Sequence, residues 1–334
     1  MHKESSRQVP AAPAGGAMGE LVMRLIKSQE FVIALVVVLL LIVGAIINPN
    51  FMTVANQKAN FRDIAILAIA GIGVAFPILT GGIDLSVGSM VGVGGIMIAE
   101  CLVNWKLPIW LGILVTLFVG LVIGAIHGLF VTKLGMHGFL ITLVTMGAAR
   151  GALLVITSAF PIPGLPPEFT YIGQGYVFNV IPIPVLICAA IALIAFYVLR
   201  FSYVGRQIYA VGGNVEAARF SGINVHARIM LCYIVSVLCA VTVGMIQAAR
   251  MTQGHPGSGQ GYELQAITAC IVGGVSFMGG EGGVLGIVIG AMLMGTLANA
   301  MIMLNVSAYW HQIVISMVLL AAITVDYTRR RQQT

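Results

Sequence analysis

The chain has 334 residues, of which 59% are hydrophobic and 8% charged, with a mean hydropathy of +1.02 and a formal net charge of +6. Soluble domains carry about 25% charged residues, so an ordinary soluble domain is excluded. The composition reads as an all-α polytopic membrane protein in a lipid bilayer, where a basic excess reports orientation rather than nucleic-acid binding.

Residues 1–28 open with an Ala/Pro/Gly/Ser-rich stretch and read as a cytoplasmic N-terminal tail. Arg24 and Lys27 precede the first apolar run, Phe31–Ile47. It is long for a signal peptide, and Asn48-Pro49-Asn50 is a poor cleavage site, so it reads as a first membrane helix. Further runs follow at Ile64–Leu79, Val87–Val103, Ile109–Val131, Phe139–Ile156, Ile183–Leu199, Ile229–Ala249, Leu264–Met278, Val284–Leu304 and Ile313–Val325. About ten transmembrane helices are expected within one domain spanning 29–326, with a basic cytoplasmic tail at 327–334. Several runs fall short of the roughly 20 residues that cross a bilayer. The third and eighth abut glycine clusters, which allows broken or re-entrant helices there. The five cysteines lie in or beside apolar runs without a CxxC pair, and read as packing residues.

With the N-terminus inside and ten helices alternating, the inner segments hold Lys3, Arg7, Arg24, Lys27, Lys133, Arg200, Arg206, Arg219, Arg228, Arg329, Arg330 and Arg331. The outer segments hold only Lys58, Arg62, Lys106 and Arg250, and Arg150 falls inside a helix. This satisfies the positive-inside rule and makes both termini cytoplasmic, together with the loop 200–228.

In chain order, Gly81-Gly82-Ile83-Asp84-Leu85-Ser86-Val87-Gly88-Ser89 is the first marked segment. Asp84 reads as the N-cap of a helix beginning at Leu85, with a gate or a hydrogen bond to a passing solute as the other reading. Gly81–Asp84 loosely matches Gly273–Ser276, yet both fall toward the cytoplasmic side, where an inverted repeat would separate them, so either the match is accidental or one of these helices is re-entrant. Glycines recur every fourth residue at 120, 124 and 128, at 88 and 92, and at 286 and 290, a spacing that suits close helix packing within the chain, with a dimer contact as the other reading. The segment Thr157–Pro182 carries Pro161, Pro163, Pro166, Pro167 and Pro182 and no Lys or Arg. It reads as a stiff external lid, or as a platform on which an external protein docks.

The loop 200–228 contains a very short helix with both ends marked. Gly213 and Asn214 precede it, Glu216 sits in its first turn, Ala217, Ala218 and Arg219 fill it, and Ser221 and Gly222 close it. Two turns are not stable alone in water. The helix either docks a cytoplasmic partner or lies against its own bundle.

GGNVEAARFSGI resembles the coupling segment of ribose-type ABC importer permeases, a bacterial sugar-uptake family. Gly81–Ser89 resembles their GGIDLSVGS signature. Tyr262-Glu263-Leu264-Gln265-Ala266-Ile267, with Gly273–Ser276 and Gly279–Gly286, resembles their YELDAIAA…GGTS…GGRGSVLG stretch. The likeness covers roughly Phe31 to Val325, with Gln265 where Asp is frequent and Glu281 where a basic residue is frequent. It implies a multi-pass protein of the bacterial cytoplasmic (inner) membrane that moves a sugar or polyol of the pentose or hexose class. It also implies an ABC ATPase subunit gripping residues 213–222, an extracytoplasmic sugar-binding protein above the proline-rich segment, and a second permease copy, identical or a close paralogue.

The sequence carries no GxxxxGK[ST], HExxH or GxSxG. It is therefore not read as an enzyme, and no cofactor is expected on this chain; ATP and magnesium belong to the partner ATPase. Few ionisable residues lie at mid-helix depth, which disfavours the alternative of an ion-coupled secondary transporter of a small polar solute. A neutral polyol needs scattered hydrogen-bond partners. Asp84, Ser86, Ser89, Glu263, Gln265 and Ser276 are the candidates for its path or gate, with Thr80, Thr142, Thr145, Gln247, Thr268 and Asn299 behind them.

Overall fold

A computed structural model describes residues 29–331. Its helices are α1 (Gln29–Ile47), α2 (Val54–Leu79), α3 (Val87–Ala99, running on into a π-turn over Glu100–Asn104), α4 (Ile109–Lys133) and α5 (Gly138–Ile156). After the proline-rich segment with the small α6 (Pro167–Gln174) come α7 (Ile183–Phe201), α8 (Tyr203–Gly213) and α9 (Val215–Phe220). The chain closes with α10 (Val225–Met251), α11 (Tyr262–Val272), α12 (Val284–Met303) and α13 (Ala308–Arg331). Among the described residues eight helices are long and apolar enough to cross a membrane, and two shorter apolar ones, Phe31–Ile47 and Tyr262–Val272, accompany them. The ten apolar runs thus correspond to eight long helices and two short ones.

Local signals explain several boundaries. Thr53 caps α2 by accepting from Asn56 N, which starts that helix ten residues ahead of its apolar run. Asn224 accepts from Ala227 N and starts α10 at Val225. Prolines at the first turn open α6 and α7, where a missing N–H costs nothing. α11 stops at Val272, well before the apolar run ends, because Gly273 and Gly274 follow and Gly274 has φ +85°. α13 continues to Arg331, past the tail boundary read at 326. The N-terminal tail and the last three residues lie outside the described part.

The bundle has two ends. At one, Gly280 N donates to Leu79 O (3.0 Å) and Tyr209 Oη donates to Gly282 O (2.8 Å), so α8 and α9 sit with the C-terminus of α2 and the loop before α12. At the other, Arg62 donates to Tyr176 Oη (2.7 Å), Gln174 Nε2 to Arg250 O (2.9 Å) and Asn48 Nδ2 to Met303 O (2.9 Å). That end also carries α6 and two minimal antiparallel pairings: β1 (Ile162–Pro163) with β4 (Gln253–Gly254), and β2 (Tyr176–Val177) with β3 (Ile181–Pro182).

Chain direction follows from these contacts. α2 runs to the α9 end; Gly81–Ser86 then turns back into the bundle without regular structure, and α3 returns toward the α6 end. α10 runs the opposite way; Gln253–Gly261 turns back from the α6 end, and α11 descends. The packing repeats this symmetry: α10 on α4 and α2 on α12, α10 on α3 and α2 on α11, α3 on α5 and α11 on α13. The chain is therefore built as two inverted halves. The segments that correspond are Gly81–Ser86 and Gln253–Gly261, not Gly81–Asp84 and Gly273–Ser276. The sequence match misleads because Gly273–Ser276 sits beside Gly81, at the α9 end, while the true counterpart of Gly81–Ser86 enters from the other end.

Glycines let this core close. A Cβ on Gly94 would lie 2.3 Å from Val241 O, and one on Gly244 2.1 Å from Val91 O, so α3 and α10 touch backbone to backbone. Gly120, Gly124 and Gly128 face Val241, Ile234 and Met230 of α10, and Gly286 and Gly290 face Gly273 and Ala269. All of these stripes pack inside the chain, the association expected where apolar side chains gain little from meeting in lipid.

Candidate functional site

The two inward segments meet. The helix after Asp84 begins at Val87, two residues later than expected, because residues 82–86 form no regular element and Ser86 is the residue before the first helical one. Asp84 is fully buried. Its Oδ1 accepts from Ser86 N (2.9 Å) and from Ser86 Oγ (2.6 Å), while Oδ2 accepts from Ser236 Oγ (2.7 Å) on α10. The carboxyl thus pins a broken segment to the central helix rather than capping a helix at Leu85. Ser89 Oγ donates to Ser86 O (2.7 Å). Thr142 on α5 accepts from Leu85 N (3.1 Å), which fixes the same segment from its other side. Beside it, Tyr233 is buried with its hydroxyl unpartnered, and its ring meets that of His127 edge-on at 6.3 Å. His127 Nε2 bonds Thr145 Oγ1 (2.9 Å).

These bonds give Asp84 an expected substitution pattern. Asp84→Asn keeps one carbonyl oxygen for Ser86 and lets Ser236 turn its hydroxyl to accept, so its folded yield should match the wild type. Asp84→Ala leaves the buried Ser86 N–H without an acceptor, at roughly 1–3 kcal/mol, and its yield in detergent should fall. Size-exclusion chromatography of the two variants reads the difference, and equal yields would remove this account.

Arg150, in the middle of α5, grips both inward segments. Its Nη2 donates to Gly88 O (2.9 Å), at the start of α3; its Nη1 donates to Ser258 O (2.7 Å) and Pro256 O (3.1 Å). Where the segments touch, a Cβ on Gly259 would lie 2.3 Å from Gly88 O, and one on Gly88 would strike Glu263. Of the path candidates, Asp84, Ser86, Ser89 and Glu263 are gathered around this meeting point. Gln265 lies apart, on a cavity of about 390 Å³ shared with His311 and Gln312. Ser276 is at the α9 end, where its Oγ donates to Asp326 Oδ2 at 3.5 Å. Thr268 bonds its own helix at Leu264 O, and Asn299 pairs reciprocally with Asn56 at the α6 end. Arg150 was the visible signal of a clasp, a lone charge in an apolar run. Ser236 gave none, since a serine in a long apolar helix reads as packing.

At the α9 end, Asn214 Oδ1 accepts from Ala217 N (2.9 Å), Ser221 follows the last turn, and Gly222 takes φ +78°. Ala218 is buried and packs with Val211, Val225, Ile223 and Ile229. Phe220 is 90% exposed, and Glu216 and Arg219 are exposed as well. α9 therefore leans on the bundle through one face and presents an aromatic ring and two opposite charges on the other. α8, which leads into it, is tied to α10 by Arg228 Nε donating to Gln207 Oε1 (2.6 Å) and to the end of α2, where a Cβ on Gly212 would collide with Leu79 O. Burial pushes the Tyr209 phenol above its ordinary value, with Arg200 opposing, so Tyr209 stays a neutral donor to Gly282 O.

Residues 59–323 match the family model described as the branched-chain amino acid transport system / permease component. The chain is 39% identical over 307 residues to the ribose import permease protein of Haemophilus influenzae, covering 91% of this chain and 94% of that protein. It is 37% identical over 305 residues to the ribose import permease protein of Escherichia coli K12 (90% and 94%), and 34% identical over 296 residues to the D-allose transport system permease protein of the same strain (89% and 90%). No solved structure matches the chain.

Proposed function

The chain belongs to the ribose-type sugar permeases of the ABC importers, and on that premise we propose that it is the membrane-spanning subunit through which a pentose, hexose or polyol enters the cell. A separate ATPase drives it and an external binding protein feeds it. The bilayer is the bacterial inner membrane, the α9 end is cytoplasmic, and a second permease copy completes the pathway. Catalysis, with its ATP and magnesium, belongs to the ATPase, and this chain transmits the motion.

The observation that carries the reading is α9. A two-turn helix, capped at both ends and wedged against α8 and α10, turns Phe220 outward at 90% exposure. α9 spends one face on the bundle through Ala218, while Glu216, Arg219 and Phe220 on the other face stay exposed and available to a partner. The inverted halves, with inward segments meeting at Gly88 and Gly259, supply the element that alternates between the two ends.

The test is uptake of labelled D-ribose, D-allose and D-xylose in a host lacking its own systems, with the chain expressed beside its ATPase and binding protein. Uptake of at least one sugar should vanish when the ATPase carries a substituted P-loop lysine. Uptake that survives that substitution would overturn the reading. Orientation has its own test. Alkaline phosphatase, active only outside the cytoplasm, should be silent when fused after Thr334 and active when inserted near Gly164. An active C-terminal fusion would reverse the assignment of the two ends.

A further inference from the structure

A cavity of about 540 Å³ lies at the α6 end, lined on one side by the inward segment before α11. Its size is that of a small-ligand pocket, about 300–1,000 Å³, and its lining is unusual for this apolar chain. Asp63 and Arg250 face each other as an ion pair, so together they offer donors and acceptors without net charge. Gln247, buried in α10, carries an amide that already bonds the Tyr262 hydroxyl and keeps its remaining capacity for a ligand, and Gln260, exposed, contributes a second amide from the inward segment. The Nδ1 of His255 accepts from Gly257 N (3.0 Å), so Nε2 is the ring nitrogen left for a ligand. Tyr262 adds an aromatic ring at the start of α11.

We propose that this cavity is a subsite for the transported sugar itself, held after delivery at the outer end and before the inward segments part. The inference rests on the importer reading above and adds to it where the solute first contacts the permease. Paired donors and acceptors, balanced charge and one ring face suit a neutral polyhydroxylated ring, whereas a charged solute would have to break the Asp63–Arg250 pair. The site is also mechanically placed. Ser258 and Gly259 line it. The Ser258 carbonyl is held by Arg150, which also holds Gly88. An occupant therefore presses on one inward segment at the point where that segment is tied to the other.

The experiment uses the complete complex with its ATPase and binding protein in proteoliposomes, with labelled D-ribose, D-allose and D-xylose as probes. Gln247→Leu and Gln260→Leu keep side-chain size and leave the ion pair alone; Gln260 is exposed, so its replacement does not threaten folding. Uptake of the sugar that the wild type carries should fall roughly tenfold in the double variant, the loss of about 1.4 kcal/mol of contact. Saturation-transfer NMR of that sugar on the permease without binding protein should show contact for the wild type and lose it in the double variant. Wild-type uptake with an unchanged NMR signal would overturn the proposal. So would lost capture of the liganded binding protein with the NMR signal intact, since the cavity would then seat a protein loop. A wild-type complex that carries no sugar at all overturns the importer reading instead, and is told apart by its failure before any substitution.

Discussion

Reversing both charges of α9, Glu216→Lys with Arg219→Glu, abolishes sugar uptake while the chain still inserts and purifies in normal amount. Neither side chain has a role inside the bundle: both are exposed, and the packing of α9 rests on Ala218. The reversal keeps the helix capped, because Asn214 and Gly222 are untouched, although a lysine in the first turn gives up a small dipole benefit. A partner surface complementary to the original pattern then meets like charges, which costs several kcal/mol. The consequence reaches the core through a short rigid path. α8 touches Leu79 at Gly212, Leu79 accepts from Gly280, and the chain after Leu79 turns inward to Asp84. A partner that cannot grip α9 cannot move that path. The measurement is uptake together with stimulation of the ATPase by the permease, and normal values for both would show that α9 is only a loop helix.

Much of this architecture was legible in the sequence, and the reasons differ by feature. Apolar runs locate the helices because lipid demands internally bonded backbone, but they miss polar turns that continue a helix. Val54–Asp63 extends α2 with Asn, Gln, Lys and Arg, and hydropathy cannot see it. The α9 caps were readable because Asn and Gly do that work by local chemistry alone. The inverted halves were not, since the matching segments, GGIDLS and QGHPGSGQG, share a path through the bundle and no residue pattern. Asp84 was flagged for its cost, yet its partner Ser236 lies 152 positions away and no spacing rule connects them. Ser276 looked equivalent to the others because it sits in a glycine cluster, and only the fold separates it from the meeting point.

Replacing Arg150 by Met leaves a bundle that folds and a transporter that barely works. The side chain is half-buried, so losing its charge relieves desolvation rather than opening a void. What is lost is geometric. One planar guanidinium reaches Gly88 O, in the first turn of α3 just after one inward segment, and Pro256 O and Ser258 O on the other. Hydrogen bonds from a charged donor contribute about 1.5–3 kcal/mol each, toward the lower end where water has access. Without them the two segments are joined only by close packing around Gly88 and Gly259, and they part without waiting for the partner's stroke. Arg150→Lys should recover little, because a single ammonium cannot span both segments in the fixed fork that arginine offers. Uptake in Arg150→Met should fall roughly tenfold or more, the equivalent of about 1.4 kcal/mol. A general loss of stability would not single out one segment, so the discriminating readout is amide exchange. Peptides covering 253–261 and 81–90 should exchange faster in the variant while those from α2 and α10 stay protected. Normal uptake with unchanged exchange in those two peptides would show that the clasp is incidental to transport.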